Sequence, residues 1–258
     1  MGLLADKLSK SSRFANIVRS HKIREKMSRR KTIGAVASET QHLAVEFKPK
    51  TKGQYEYVKT MIQNSITFVT GEAGTGKSFL ALGLCSQYIL DGSFDNIIVA
   101  RPAVEASSRG LGYLSGSLEE KLSPFVFPAV MHLRGFLGDN RYYSLLRDGK
   151  IKFESLEYMR GRTYGTKDSK SFVLLEEAQN CTTSQLVMIV TRIGEGSKLV
   201  INGDSDQTDL RNSGDSSDLM HVISKVQRAN IEGFGVSKLT EDDIVRNPLI
   251  KDFLRAMR

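Results

Sequence analysis

At 258 residues the chain suits one α/β domain with an appendage, and its 40% apolar and 26% charged content is that of a soluble chain with an adequate core. The net charge of +8 is unevenly placed: residues 1–50 hold 12 of the 37 Lys/Arg and 4 of the 29 Asp/Glu, so residues 51–258 balance to zero. No apolar run reaches the roughly 18–20 residues of a membrane span, and Cys85 and Cys181 stand too far apart for metal-ligand spacing, reading as packing residues of a reduced, cytoplasmic protein.

Residues 1–49 form a basic arm. Leu3, Leu4, Leu8, Phe14, Ile17, Val18, Ile23 and Met27, with basic residues between them, predict one or two amphipathic helices. Three readings stay open for it: an arm that binds nucleic acid or a partner, a solvated and partly disordered tail, and a transit peptide, against which Asp6 and Glu25 count. Lys48–Gly53 reads as the hinge into the main domain, residues 50–258. A helix is expected from Gln54 to Ile62, ending at Asn64, then an apolar, β-branched strand over 65–70. Gln54 has two readings. Its planar amide suits adenine, donating to N7 and accepting from N6; equally, it could be an exposed glutamine at a helix start.

Gly71-Glu72-Ala73-Gly74-Thr75-Gly76-Lys77-Ser78 fits G-x-x-x-x-G-K-[ST] between that strand and an apolar helical run, Phe79 to Leu90. Glycines let successive backbone N–H groups turn around a phosphate, and the helix N-terminus adds partial positive charge. Lys77 is placed to reach β- and γ-phosphates and Ser78 to ligate Mg2+, so residues 71–79 are the expected nucleotide contacts. A second strand, Asn96 to Ala100, leads into Arg101-Pro102 and a loop carrying Glu105 and Arg109. Loops at strand carboxyl ends line the ligand crevice of open α/β sheets. A helix from Ser117 to His132 is expected to break at Pro124 and Pro128, followed by a helix over 140–147 and a strand over 151–154.

Ser171-Phe-Val-Leu-Leu-Glu176-Glu177 is an apolar strand ending in two carboxylates, as in a Walker B segment. Glu176 is expected to support Mg2+ and Glu177 to polarise the attacking water; two roles for neighbours require the strand to end there. A helix over 184–190, capped at Thr182 or Thr183, precedes a strand over 198–202. Gln207 beyond it suits a γ-phosphate sensor. A helix near 215–228, a strand over 233–239 and a C-terminal helix opening at Thr240 complete the prediction.

Assembled, these residues resemble the PhoH family of P-loop ATPases, related to the superfamily-one helicase core. The likeness rests on Gln54 with Tyr57, GEAGTGKS at 71–78, RPAVEA at 101–106, LGYLSGSLEEK at 111–121 and EEAQN at 176–180. It continues through TRIGEGSK at 191–198, INGDSDQTDL at 201–210 and DIVRNPL at 243–249. The resemblance implies a RecA-like fold with a mainly parallel sheet, ATP and Mg2+ as ligands, hydrolysis, assembly into homo-hexamers and a link to single-stranded nucleic acid, RNA before DNA. It makes Arg246 an arginine-finger candidate supplied to a neighbouring subunit, with Arg192 as its rival. Arg101, Arg109 and Arg192 are candidates for touching nucleic acid. Glu176 stands where the family has aspartate, an extra methylene that moves the carboxylate by about 1.5 Å. The chain also looks like the compact, phage-borne versions of the family. An ATP-dependent module acting on a protein partner is the alternative function.

Overall fold

In the computed structural model, residues 43–45, 47–102, 118–204 and 218–245 are described, all within the compact unit Leu43–Arg258. Helix α1 (Lys52–Gln63) buries Gln54, Tyr57, Val58, Met61 and Ile62, a stripe at helical spacing. Its first turn is capped by Thr51, whose hydroxyl accepts from the Gln54 amide at 3.1 Å. Strand β1 (Ile66–Thr70) is buried at every position, as is expected of a parallel strand covered on both faces.

The remaining strands are β2 (Asn96–Arg101), β3 (Ile151–Ser155), β4 (Ser171–Leu175), β5 (Lys198–Gly203) and β6 (Phe234–Lys238). All six pair in parallel in the order β3-β2-β4-β5-β1-β6. This is the α/β, RecA-like P-loop architecture expected from the sequence. Register fixes the site: Thr70 faces Gly203, and Ala100 faces Leu175. The carboxyl ends of β1, β5, β4 and β2 therefore open side by side along one edge, where ligands bind in such sheets.

Helices α2 (Lys77–Leu90), α3 (Leu118–Leu137), α4 (Asp139–Arg147), α5 (Thr183–Val190) and α6 (Asp218–Ala229) connect the strands. A capping box starts α5, with Thr182 and Gln185 exchanging bonds. Phe47, on the arm side of the expected boundary, is buried against Gly83 of α2 and meets Phe136 edge-on at 6.3 Å. A Cβ at position 83 would stand 2.6 Å from the Phe47 ring, so only glycine admits this contact.

Two predicted elements differ. Helix α3 runs unbroken through Pro124 and Pro128 and on to Leu137. Val126, Ala129, Leu133, Phe136 and Leu137 are buried along it while Pro128 faces solvent, so packing carries the helix past the bonds that the prolines cannot donate. No α-helix opens at Thr240: Glu241–Asp243 is a single 3-10 turn, and the chain extends again at Ile244. Residues 1–42 and 46 of the expected arm, 1–49, lie outside the described residues, as do Arg109, Gln207 and Arg246.

Candidate active site

The P-loop leaves β1 at Gly71 and enters α2 at Lys77. Gly76, the residue before the helix, has φ +88°, a left-handed backbone that glycine adopts without strain. Ala73, Gly74, Gly76, Lys77, Ser78 and Phe79 border a cleft of about 330 Å³, closed on its other sides by His132, Glu176, Glu177, Gln179, Asn202, Gly203, Asp204 and Val245. Gly71 and Thr75 are buried behind it. Thr75 donates to the Glu72 carbonyl at 2.8 Å. The Lys77 ammonium donates to the carbonyls of Gly71 and Glu72, folded over its own loop. Burial lowers the Lys77 pKa, and Asp204, Glu176, Glu177 and Glu72 oppose that shift.

Glu176 follows directly on β4. The Ser78 hydroxyl donates to its Oε2 at 2.8 Å, and the Asn202 amide donates to Oε1 at 3.3 Å. Asn202 in turn accepts from the fully buried Tyr57 hydroxyl at 3.0 Å, so α1, β5, β4 and α2 meet in one chain of bonds. Burial raises the Glu176 pKa, with Glu177 adding repulsion, while Ser78, Asn202 and Arg101 work against the rise. Serine and carboxylate oxygens converging beside the P-loop are the hard donors that Mg2+ takes, with phosphate and water completing its shell. Ser78 and Glu176 fit that ion, and the Glu176 carboxylate meets both Ser78 and Asn202.

Glu177 has φ +56°, uncommon for a residue with a side chain. The reversal turns it away from its neighbour, so the two carboxylates separate as soon as the strand ends. Glu177 Oε1 lies 3.2 Å from Arg101 Nη2, and Oε2 accepts from the Gln179 amide at 2.7 Å. Gln179 Oε1 accepts from the Asp204 backbone at 3.0 Å, linking the turn after β4 to the end of β5.

Gln54 is only 3% exposed, so the reading of an exposed helix-start glutamine does not hold. Its Nε2 donates to the carbonyls of Thr75 (2.9 Å) and Asp243 (3.2 Å), and its Oε1 accepts from Lys50 N at 2.7 Å. It thus straps the P-loop to the turn after β6, where Val245 N also reaches Gly74 O at 3.3 Å. Arg192 follows α5, at the opposite edge of the sheet, and is not among the cleft residues. Asn202, Gln179 and His132 are cleft residues for which no role was expected from the sequence. A lone amide closing the apolar run Leu199–Ile201 was a usable signal for Asn202. His132, edge-on to Phe79 at 5.6 Å, reaches the cleft only because α3 is continuous.

Residues 46–258 match the family model described as PhoH-like protein. The chain is 40% identical over 207 residues to a PhoH-like protein of Synechocystis sp., covering 80% of this chain and 61% of that protein. It is equally 40% identical over 207 residues to a PhoH-like protein of Bacillus subtilis, covering 80% and 62%. It is 33% identical over 209 residues to Protein PhoH of Escherichia coli K12, covering 80% and 57%. The chain therefore spans about three fifths of the length of these curated relatives.

Proposed function

Since this chain belongs to the PhoH-like protein family, we propose that it hydrolyses ATP with Mg2+ and couples that hydrolysis to single-stranded nucleic acid, RNA before DNA, as a cytoplasmic ring of identical subunits, six being the expected number. One observation carries the reading: Lys77, Ser78, Glu176 and Glu177 converge on a single cleft at the carboxyl edge of the sheet.

Lys77 would exchange its own loop carbonyls for β- and γ-phosphate oxygens. The amides around Gly74–Ser78 and the start of α2 would hold the same phosphates. Ser78 and Glu176 would hold Mg2+, which supplies neutralising charge at the β- and γ-phosphate oxygens. Glu177 would orient the attacking water and accept its proton at a carboxylate oxygen. Gln207 would register the γ-phosphate, and Arg246 would complete the site of the adjacent subunit. Gln54 would read the adenine edge by exchanging its bonds to Thr75 and Asp243. Arg101 and Arg109, at or beyond the end of β2, are the proposed phosphate contacts of the nucleic acid, with the basic arm adding affinity.

Phosphate release from ATP by the full chain, with and without polyuridylate across a salt series, tests the reading. Turnover is expected to rise with polyuridylate and the stimulation to fall as salt displaces it from its cationic contacts. Turnover indifferent to polyuridylate and to single-stranded DNA overturns the coupling.

A further inference from the structure

Arg101 is the last residue of β2 and lies beside the end of β4: Ala100 faces Leu175, and the Ala100 carbonyl accepts from Glu176 N at 2.9 Å. Its guanidinium, one quarter exposed, lies 3.2 Å from Glu177 Oε1, the oxygen that Gln179 does not hold. A carboxylate has about four lone-pair sites, and these two bonds take half of them and set the direction of the rest. The residue proposed to orient water is therefore oriented by Arg101. Glu177 also stands in left-handed backbone at φ +56°, a strained conformation for a side-chain-bearing residue that persists only while its surroundings hold it.

We propose that Arg101 is a positioning residue that restrains Glu177, and that a single-stranded nucleic-acid phosphate seated at Arg101 lifts the restraint and so couples the strand to hydrolysis. The inference rests on the nucleic-acid reading above. A guanidinium pairs with phosphate through parallel N–H bonds at least as readily as with carboxylate. Standing at the carboxyl end of β2, it is bonded to Glu177, which borders the cleft where water would attack, and a strand phosphate reaching that edge would compete for it. One guanidinium shared by two anions converts arrival of the strand into release of the carboxylate. The geometry also makes the effect modest, since both partners are partly exposed.

The test compares wild type, Arg101→Ala and Arg101→Lys in the full chain, reading kcat and KM for ATP with and without polyuridylate, and polyuridylate affinity separately. Without polyuridylate, Arg101→Ala is expected to raise kcat about two- to fivefold, the range a half-exposed ion pair supplies. KM for ATP should stay in place, polyuridylate affinity should fall and stimulation should disappear. Arg101→Lys, which keeps a charge but loses the planar fork, should lie between. Structural damage does not raise kcat at constant KM, so the elevated basal rate separates positioning from misfolding. Basal kcat unchanged or lowered in Arg101→Ala, with stimulation intact, overturns the proposal. Wild type that polyuridylate fails to stimulate overturns the nucleic-acid reading on its own, and the releasing half of this inference with it; the basal rate of Arg101→Ala still decides the restraining half.

Discussion

Glu176 is a carboxylate suspended between a serine hydroxyl and an asparagine amide, 2.8 Å from the first and 3.3 Å from the second. Burial raises its pKa, so the folded chain favours the protonated form. The sign follows from linkage: stability from this group is present below its ordinary pKa of 4.5 and is lost as pH rises through the raised value. Glu176→Gln is neutral and can keep both bonds if the Ser78 hydroxyl turns to accept. It is expected to raise the melting temperature of the nucleotide-free chain at neutral pH, with no gain below about pH 4.5, while ending the Mg2+ dependence of ATP binding. A lower melting temperature at neutral pH would show that the charge is wanted in the empty cleft. His132 works in the opposite window. Burial lowers its pKa from 6.5, so its stabilising contribution is full above that value and declines as pH falls below it. Replacing it with Gln should flatten that part of the acid limb in pH-dependent denaturation; an unchanged limb contradicts the assignment.

At the scale of elements, α3 holds two prolines in its interior, each of which costs a helix about 3 kcal/mol where nothing compensates. Because Pro128 faces solvent, Pro128→Ala restores a donor without disturbing the buried Val126–Ala129–Leu133 face. It should stabilise the chain by about 1 kcal/mol or more, seen as a higher urea midpoint at unchanged slope, and a lower midpoint would mean that the ring itself packs. The same helix shows where sequence reading stops. Strands β1, β4 and β5, the P-loop and the paired carboxylates were legible because each signal is local: an apolar run, a glycine spacing, an abrupt change to acid. The continuity of α3 is decided by contacts with α2 and β3 that no local pattern records, and His132 was missed with it. The fate of Gln54 was also non-local, since its partners Thr75 and Asp243 lie 21 and 189 positions away. Asn202 was visible as a polar residue at a strand end, but its role needed Tyr57 and Glu176 on either side.

In the whole molecule, the strap from Gln54 and Gly74 to the turn at Asp243–Val245 ends one residue before Arg246, so the P-loop is bonded to the segment that leads into the proposed finger. If Arg246 acts across a subunit boundary, mixing Arg246→Ala with Lys77→Ala subunits should recover part of the ATPase that each lacks, because some boundaries then pair an intact P-loop with an intact arginine. No recovery on mixing would place the arginine's action within its own subunit. All of this depends on the cleft being a site of hydrolysis with Glu177 as the residue that handles the water. The most direct measurement is steady-state phosphate release from ATP by Glu177→Gln beside wild type, with ATP affinity measured on the same preparations. The expected result is a loss of about 10²–10⁴ in turnover with ATP affinity retained, whereas wild-type turnover in Glu177→Gln would contradict it.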